Sequence, residues 1–203
     1  MKVLVLYLAA MVLLLPITPC ARVDAAELPS SKMEHVNDIQ NLFKAHGLLL
    51  NQIIEAAYNN KPQTDIDIIK NALLSNAQDI ATYLTYFCGK SAGQKFEPLF
   101  DNHISLGGEY INAVKNHLPT EEITQKALKN GDDLAAFFYE LFPTISKNVW
   151  QKMWEDHVKM EAEQADAYFQ NDIDKGLQLK NASLVELQQL STLIVEGIKQ
   201  KIK

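Results

Sequence analysis

Large apolar residues recur three or four positions apart over most of the chain, a spacing that predicts amphipathic helices. Within this pattern a pair of large apolar residues precedes a histidine three times. The motif reads Leu42-Phe43-x-x-His46, Leu99-Phe100-x-x-His103 and Met153-Trp154-x-x-His157, which separates the histidines by 57 and 54 residues. Residues three and four apart share a helix face, so each histidine is predicted on an apolar stripe. The nearly equal spacing indicates a repeated structural unit.

Turn-forming residues divide this pattern into about six helices. We expect them to begin near Ser31, Thr64, Pro98, Pro119, Ser146 and either Asp172 or Asn181, with an interruption or a kink in the fourth helix at Asn130–Gly131. No useful period-2 segment predicts a strand. Short loops favour antiparallel neighbours. The prediction is one all-α domain over residues 27–203, a helical bundle built from three imperfect helix-pair repeats.

The second helix of each predicted pair carries a further motif. Asn76-x-x-Asp79 and Asn130-x-x-Asp133 begin 30 and 27 residues after His46 and His103. In the third unit we place Asn181 in this register, with Leu184 where the aspartate would stand. The last repeat is therefore expected to be imperfect.

These motifs, with the segments 73–80, 89–93 and 99–104 in the same order, resemble a family of small all-helical bacterial proteins with repeated Leu-x-x-x-His and Asn-x-x-Asp motifs. The resemblance spans roughly residues 40 to 198. It implies a helical fold and no particular chemistry. In that family the last helix also carries a histidine, and Leu184 stands in that register here.

The first 26 residues have the pattern of a cleaved secretory signal peptide. Lys2 precedes the uncharged run Val3–Leu15, Pro16 breaks that run, and small residues follow at positions 23–26. The run is too short for a stable membrane span, so we expect a periplasmic or secreted protein. Cleavage would also remove Cys20, one of two cysteines, which would leave the predicted mature chain no internal disulfide.

Charge and motif content exclude several functional classes. The net formal charge is −6, and Arg22 is the single arginine, which argues against nucleic acid and anionic membranes as partners. The sequence has no nucleotide-binding glycine motif and no nucleophile elbow, and Gly107-Gly108 is read as close helix packing. A non-enzymatic protein is therefore expected.

The repeated histidines are the main candidates for chemistry. His46, His103 and His157 would form a layer inside the bundle, with Asp79 and Asp133 as ligands or as partners that orient the imidazoles. Glu161 lies four residues after His157, on the same helix face. Imidazole and carboxylate ligands suit a divalent transition metal such as zinc or copper.

A structural interpretation stays open beside the metal site. Each histidine can pack on its stripe and form a hydrogen bond with its paired helix, as buried polar groups must, and a repeat copies a fold solution. The first hypothesis is therefore an exported, non-enzymatic bundle that binds a metal through a His/Asp layer. The alternative is a structural or host-interaction module with an apolar groove for a partner helix or ligand. Neither hypothesis fixes the oligomeric state.

The signal-peptide interpretation makes a direct prediction. Protein recovered from an exporting host should begin within a few residues of Glu27. N-terminal sequencing or intact mass of the exported material checks this expectation. A chain that keeps Met1, or that carries lipid on Cys20, would contradict it.

Overall fold

The structure, a computed structural model, describes residues 35–202, so the predicted signal segment 1–26 and the predicted helix start at Ser31 lie outside the described residues. Six α-helices and no strand make up the described range, which confirms the all-α prediction. The helices are α1 Asp38–Tyr58, α2 Gln63–Cys88, α3 Lys90–Lys115, α4 Glu121–Leu141, α5 Lys147–Phe169 and α6 Ile173–Ile202.

The six helices close into a ring. Each helix packs against the next one along the chain, and α6 packs back on α1. Loops of one to five residues join successive helices, so neighbours run in opposite directions. Helices α1, α3 and α5 therefore point the same way, and they also contact one another in pairs inside the ring. We refer to these three as the inner helices and to α2, α4 and α6 as the outer helices.

The inner helices build the core in layers. Phe43, Phe100 and Trp154, the aromatic residues of the three histidine motifs, are all fully buried. The ring centroids of Phe43 and Phe100 are 6.1 Å apart, and those of Phe100 and Trp154 are 6.3 Å apart. Equivalent positions of the repeat thus meet in one aromatic layer, as the equal spacing of the motifs predicts.

The asparagine of the Asn-x-x-Asp motif forms the same hydrogen bond between an outer and an inner helix in two of the three units. Asn76 Nδ2 donates to the Leu42 carbonyl oxygen, and Asn130 Nδ2 donates to the Leu99 carbonyl oxygen, both at 3.0 Å. Each acceptor lies four residues before a histidine. The first two helix pairs therefore share the same interhelical hydrogen bond.

The predicted start of the third helix was wrong. Helix α3 begins at Lys90, so Pro98 lies inside it and not in its first turn. Gly89 is the whole link between α2 and α3, with φ +91°, a conformation that glycine adopts without steric cost. The chain therefore reverses in one residue and α3 starts early.

Two further boundary predictions are corrected. Helix α4 continues through Asn130–Gly131 without a break, because Asn130 is held by the Leu99 carbonyl and Gly131 faces α5, where a Cβ would lie 3.5 Å from the Trp154 carbonyl oxygen. Helix α6 begins at Ile173, so the start near Asp172 is confirmed and the start near Asn181 was wrong.

In the described part of the chain, no helix combines the length and the apolar character that crossing a membrane requires. Cys88 is disulfide-bonded. The expectation of no internal disulfide concerned the chain after cleavage and stays a prediction.

Two glycines of α3 give a matched test of this packing. A Cβ on Gly93 would lie 2.0 Å from Thr85 Oγ1 and 2.5 Å from the Ala81 carbonyl oxygen, whereas a Cβ on Gly108 meets nothing within 4 Å. Gly93→Ala should lower the free energy of unfolding by about 1–3 kcal/mol through overpacking. Gly108→Ala should raise it by up to about 1 kcal/mol because alanine favours helix. Urea unfolding measures both. Equal stability of the two variants would contradict the close approach of α2 and α3.

Candidate metal centre

The three motif histidines meet at the centre of the bundle. His46 on α1, His103 on α3 and His157 on α5 follow the aromatic layer by three residues, about one helical turn. The ring centroids of His46 and His103 are 6.1 Å apart, and those of His103 and His157 are 5.3 Å apart. All three side chains are buried, with 1%, 5% and 0% exposure. The repeat thus places three imidazoles side by side, away from water.

Glu161 completes this histidine layer. Its position one turn after His157 places Oε1 at 3.0 Å from His157 Nε2 and Oε2 at 3.5 Å from His103 Nε2. One ligand atom from each of His46, His103, His157 and Glu161 lies within 4.8 Å of the other three. This buried group of four side chains, which we call the His/Glu group, can hold a metal ion.

The two aspartates predicted beside the histidines are not part of this group. Asp79 is exposed, and Asp133 accepts a hydrogen bond from Lys129 Nζ at 2.8 Å on the outer surface of α4. Helical geometry explains the error. In α2 the buried face after Asn76 contains Ala77, Ile80 and Ala81, so an aspartate three residues after the asparagine points away from the core. The asparagine of the motif faces the centre, and the aspartate does not.

A residue that the sequence analysis missed supports the centre from α6. Glu186 is buried, and its Oε2 lies 2.9 Å from His157 Nδ1. The prediction that Asn181 is equivalent to Asn76 and Asn130 was wrong, because Asn181 is exposed. The buried pattern after Glu186 matches that after Asn76 and Asn130, with core residues one, four, five and eight positions later. These residues are Leu187, Leu190, Ser191 and Ile194 in α6, Ala77, Ile80, Ala81 and Leu84 in α2, and Gly131, Leu134, Ala135 and Phe138 in α4.

Each outer helix therefore contributes one buried polar side chain: Asn76 and Asn130 bond a carbonyl oxygen one turn before a histidine, and Glu186 bonds a histidine ring directly. The Glu186 contact fixes Nδ1 of His157 and directs Nε2 toward the centre, an arrangement typical of metal-ligating histidines. Asn76 and Asn130 hold the equivalent positions in the other two units. Their Oδ1 atoms are buried and have no hydrogen-bond partner among the described residues, and neither does His46 Nδ1.

Burial and charge divide the group into neutral and ionised members. Burial lowers the pKa of His46 to about 3 and that of His103 to about 4, and the nearby Glu161 carboxylate offsets only part of this effect. Burial alone would also lower the pKa of His157, but the Glu161 and Glu186 carboxylates outweigh it and hold that pKa well above its ordinary value. Burial opposes ionisation of Glu161, yet the His157 imidazolium beside it lowers its pKa to about 2. Near neutral pH the metal-free centre therefore has two unprotonated imidazoles and one imidazolium paired with carboxylates.

A cavity of about 470 Å³ leads to this centre. Its lining comes from α1, α2 and α3, together with Glu161 of α5. The buried His46, His103 and Glu161 form its deep end, while exposed residues such as Lys70 lie at its mouth. The apolar side chains along it include Leu50, Ile53, Ile66, Leu73, Ile104 and Ile111.

Gly107 opens the cavity above the histidines. One turn beyond the histidine layer, the three inner helices present Leu50, Gly107 and Glu161, each four residues after its histidine. A Cβ on Gly107 would meet nothing within 4 Å. The prediction that Gly107-Gly108 allows close helix packing was wrong, because open space lies beside both residues.

No known protein family, curated protein or solved structure matches this chain. The resemblance to a family of helical bacterial proteins stays a prediction. The chemistry of the centre therefore follows from its own residues and their geometry.

The two low histidine pKa values predict acid destabilisation of the metal-free protein. Between pH 6.5 and about 4 the unfolded chain protonates His46 and His103, whereas the folded protein does not. The free energy of unfolding should therefore decrease as the pH is lowered, by up to about 1.4 kcal/mol per pH unit for each histidine. The raised pKa of His157 adds stability that is complete below pH 6.5 and is lost as pH rises through its folded pKa. Urea unfolding of chelator-treated protein from pH 7 to pH 4.5 measures the slope.

Two variants show whether the buried histidines cause this slope. His46→Leu should make the dependence on pH shallower, because one of the two proton-linked groups is gone. His117→Asn is the control, since His117 is exposed and its φ of 54° is one that asparagine tolerates. An unchanged slope in His46→Leu would contradict the buried, neutral state of that imidazole.

Proposed function

We propose that this protein is an exported, non-enzymatic helical bundle that binds one divalent transition metal ion at its centre. The ligands are His46, His103, His157 and Glu161. The observation that carries the proposal is the convergence of four donor atoms, from three helices, within 4.8 Å of one another. The apolar run Val3–Leu15 supports the export part of the proposal.

The spacing of the donors suits a metal ion. Zinc lies 2.0–2.2 Å from nitrogen and oxygen ligands, so neighbouring ligands of a tetrahedral ion are about 3.4 Å apart. The Glu161 oxygens lie 3.0 Å from His157 Nε2 and 3.5 Å from His103 Nε2. The four donors, one from each residue, lie within 4.8 Å of one another, so binding would draw the more distant side chains inward by about 1 Å.

The donor chemistry narrows the choice of metal. Three imidazoles favour zinc or copper, whereas calcium and magnesium prefer oxygen ligands. His46 and His103 are already neutral near pH 7, because burial lowers the pKa of each. The imidazolium of His157 has to lose its proton before Nε2 can bind the ion. Metal binding should therefore release about one proton.

A second function, an ion-free structural centre, is favoured by one contact pattern. His157 lies at ion-pair distance from Glu161 at Nε2 and from Glu186 at Nδ1, so carboxylates balance the charge of this imidazolium without a metal. In that case the protein would act as a structural or interaction module with a protein partner. Metal binding separates the two functions.

The test uses untagged protein treated with a chelator and dialysed against zinc or copper. We expect one ion per chain by elemental analysis, and a higher melting temperature because the ion binds only the folded state. At free metal 100-fold above Kd the stabilisation should be about 2.7 kcal/mol. No retained metal, together with an unchanged melting temperature, would leave the structural function.

Matched variants assign the ligands. Glu161→Gln and His103→Leu should lose the stoichiometric ion, because each removes one donor of the His/Glu group. Glu155→Gln is the control for the first variant, since Glu155 is exposed on the same helix and pairs with Lys159. Asp79→Asn and Asp133→Asn should keep the ion, because neither aspartate belongs to the group. Metal loss in the aspartate variants would contradict this ligand set.

A further inference from the structure

We propose that Glu186 makes the metal centre selective for a divalent over a monovalent ion. Glu186 does not bind the ion in this arrangement. It sets, through its contact with His157, the negative charge that the bound ion has to neutralise. This inference rests on the proposed metal site and adds the charge class of the ion, so that copper binds as Cu²⁺ and not as Cu⁺.

Glu186 lies directly behind one of the proposed ligands. Its Oε2 atom is 2.9 Å from His157 Nδ1, whereas His157 Nε2, the other ring nitrogen, is 3.0 Å from Glu161 Oε1. An ion bound at Nε2 would therefore be about 6 Å from the Glu186 carboxylate. That distance is too long for a bond to the ion and short enough for a strong interaction between the two charges.

The charge of Glu186 has to be balanced from within the centre. Glu186 has 6% exposure, and the ion pairs found among the described residues link it to His157 alone. Its Oε1 atom is buried and has no hydrogen-bond partner in the described part of the chain. Glu186 is also not among the residues that line the cavity. A buried charge of this kind needs an opposite charge close by, and salt screens it weakly.

The charges of the centre sum to zero for a divalent ion. Once His157 has lost its proton, the three imidazoles are neutral, and Glu161 and Glu186 contribute two negative charges. A divalent ion neutralises both carboxylates, whereas a monovalent ion leaves one negative charge unbalanced in the interior. With an asparagine at position 186, as in the other two units, a monovalent ion would be enough. The glutamate of the third unit therefore favours the divalent ion.

The two oxidation states of copper measure this selectivity, because they place different charges at the same donors. Competition with chelators gives the Kd of the whole exported protein for Cu²⁺ and, with ascorbate and without oxygen, for Cu⁺. In Glu186→Gln the ratio of the Cu²⁺ Kd to the Cu⁺ Kd should rise at least about tenfold over the wild-type ratio. The reduction potential of the bound copper should then rise by at least about 59 mV.

Further variants separate the charge of Glu186 from its hydrogen bond. Glu186→Gln keeps an oxygen that accepts from Nδ1–H and removes the charge, whereas Glu186→Asp keeps the charge and should keep a ratio close to that of the wild type. Glu196→Gln is the control, because Glu196 is exposed on the same helix and solvent screens its charge. If Glu186→Gln does not fold, Glu186→Asn removes the same charge and should show the same rise.

The outcomes separate the two proposals. Failure of the wild-type protein to bind Cu²⁺ overturns this inference, and it overturns the metal site as well if zinc is not bound either. An unchanged ratio in the amide variant, including an equal loss of affinity for both copper ions, means that Glu186 only orients His157 and overturns the inference alone. A rise of the same size in Glu186→Asp or in Glu196→Gln would also overturn it.

Discussion

The burial of three imidazoles and a carboxylate at the meeting point of α1, α3 and α5 is the constraint on which the rest of the structure depends. Ionisable groups removed from water must be neutral or paired with an opposite charge. The bundle meets this requirement in two ways: burial keeps His46 and His103 unprotonated, and two carboxylates hold the charge on His157. The outer helices supply the supporting polar groups, so the ring is needed as much for the centre as for the apolar core.

The three helix-pair units differ at a few equivalent positions around the histidines, and these differences give the centre its chemical character. Asn76 and Asn130 are amides, whereas Glu186 in the equivalent position is a carboxylate. One turn beyond the histidines the three units place Leu50, Gly107 and Glu161. A symmetric set of three would give either no charge or three charges at the centre. The actual set gives one carboxylate beside the histidines, one apolar side chain and one opening.

The sequence predicted those features that depend on local helix geometry. The helical period of the apolar residues predicted the helices. The offset of three residues between the aromatic residue and the histidine of each motif correctly placed Phe43, Phe100 and Trp154 in the core. The offset of four placed Glu161 beside His157. Features that depend on how helices face one another were missed. Asp79 and Asp133 were predicted as ligands, but they lie outside the buried face. Glu186 was missed because it differs in residue type from Asn76 and Asn130, although the pattern of apolar residues after it is the same.

Helix α2 has a role that differs from those of its neighbours. It contributes Ile66, Lys70 and Leu73 to the cavity wall but no member of the His/Glu group. Substitutions along this helix can therefore change the shape and polarity of the cavity while every member of the His/Glu group stays in place. Under the proposed function, affinity for an ion and access to it through the cavity would be separable traits in this architecture.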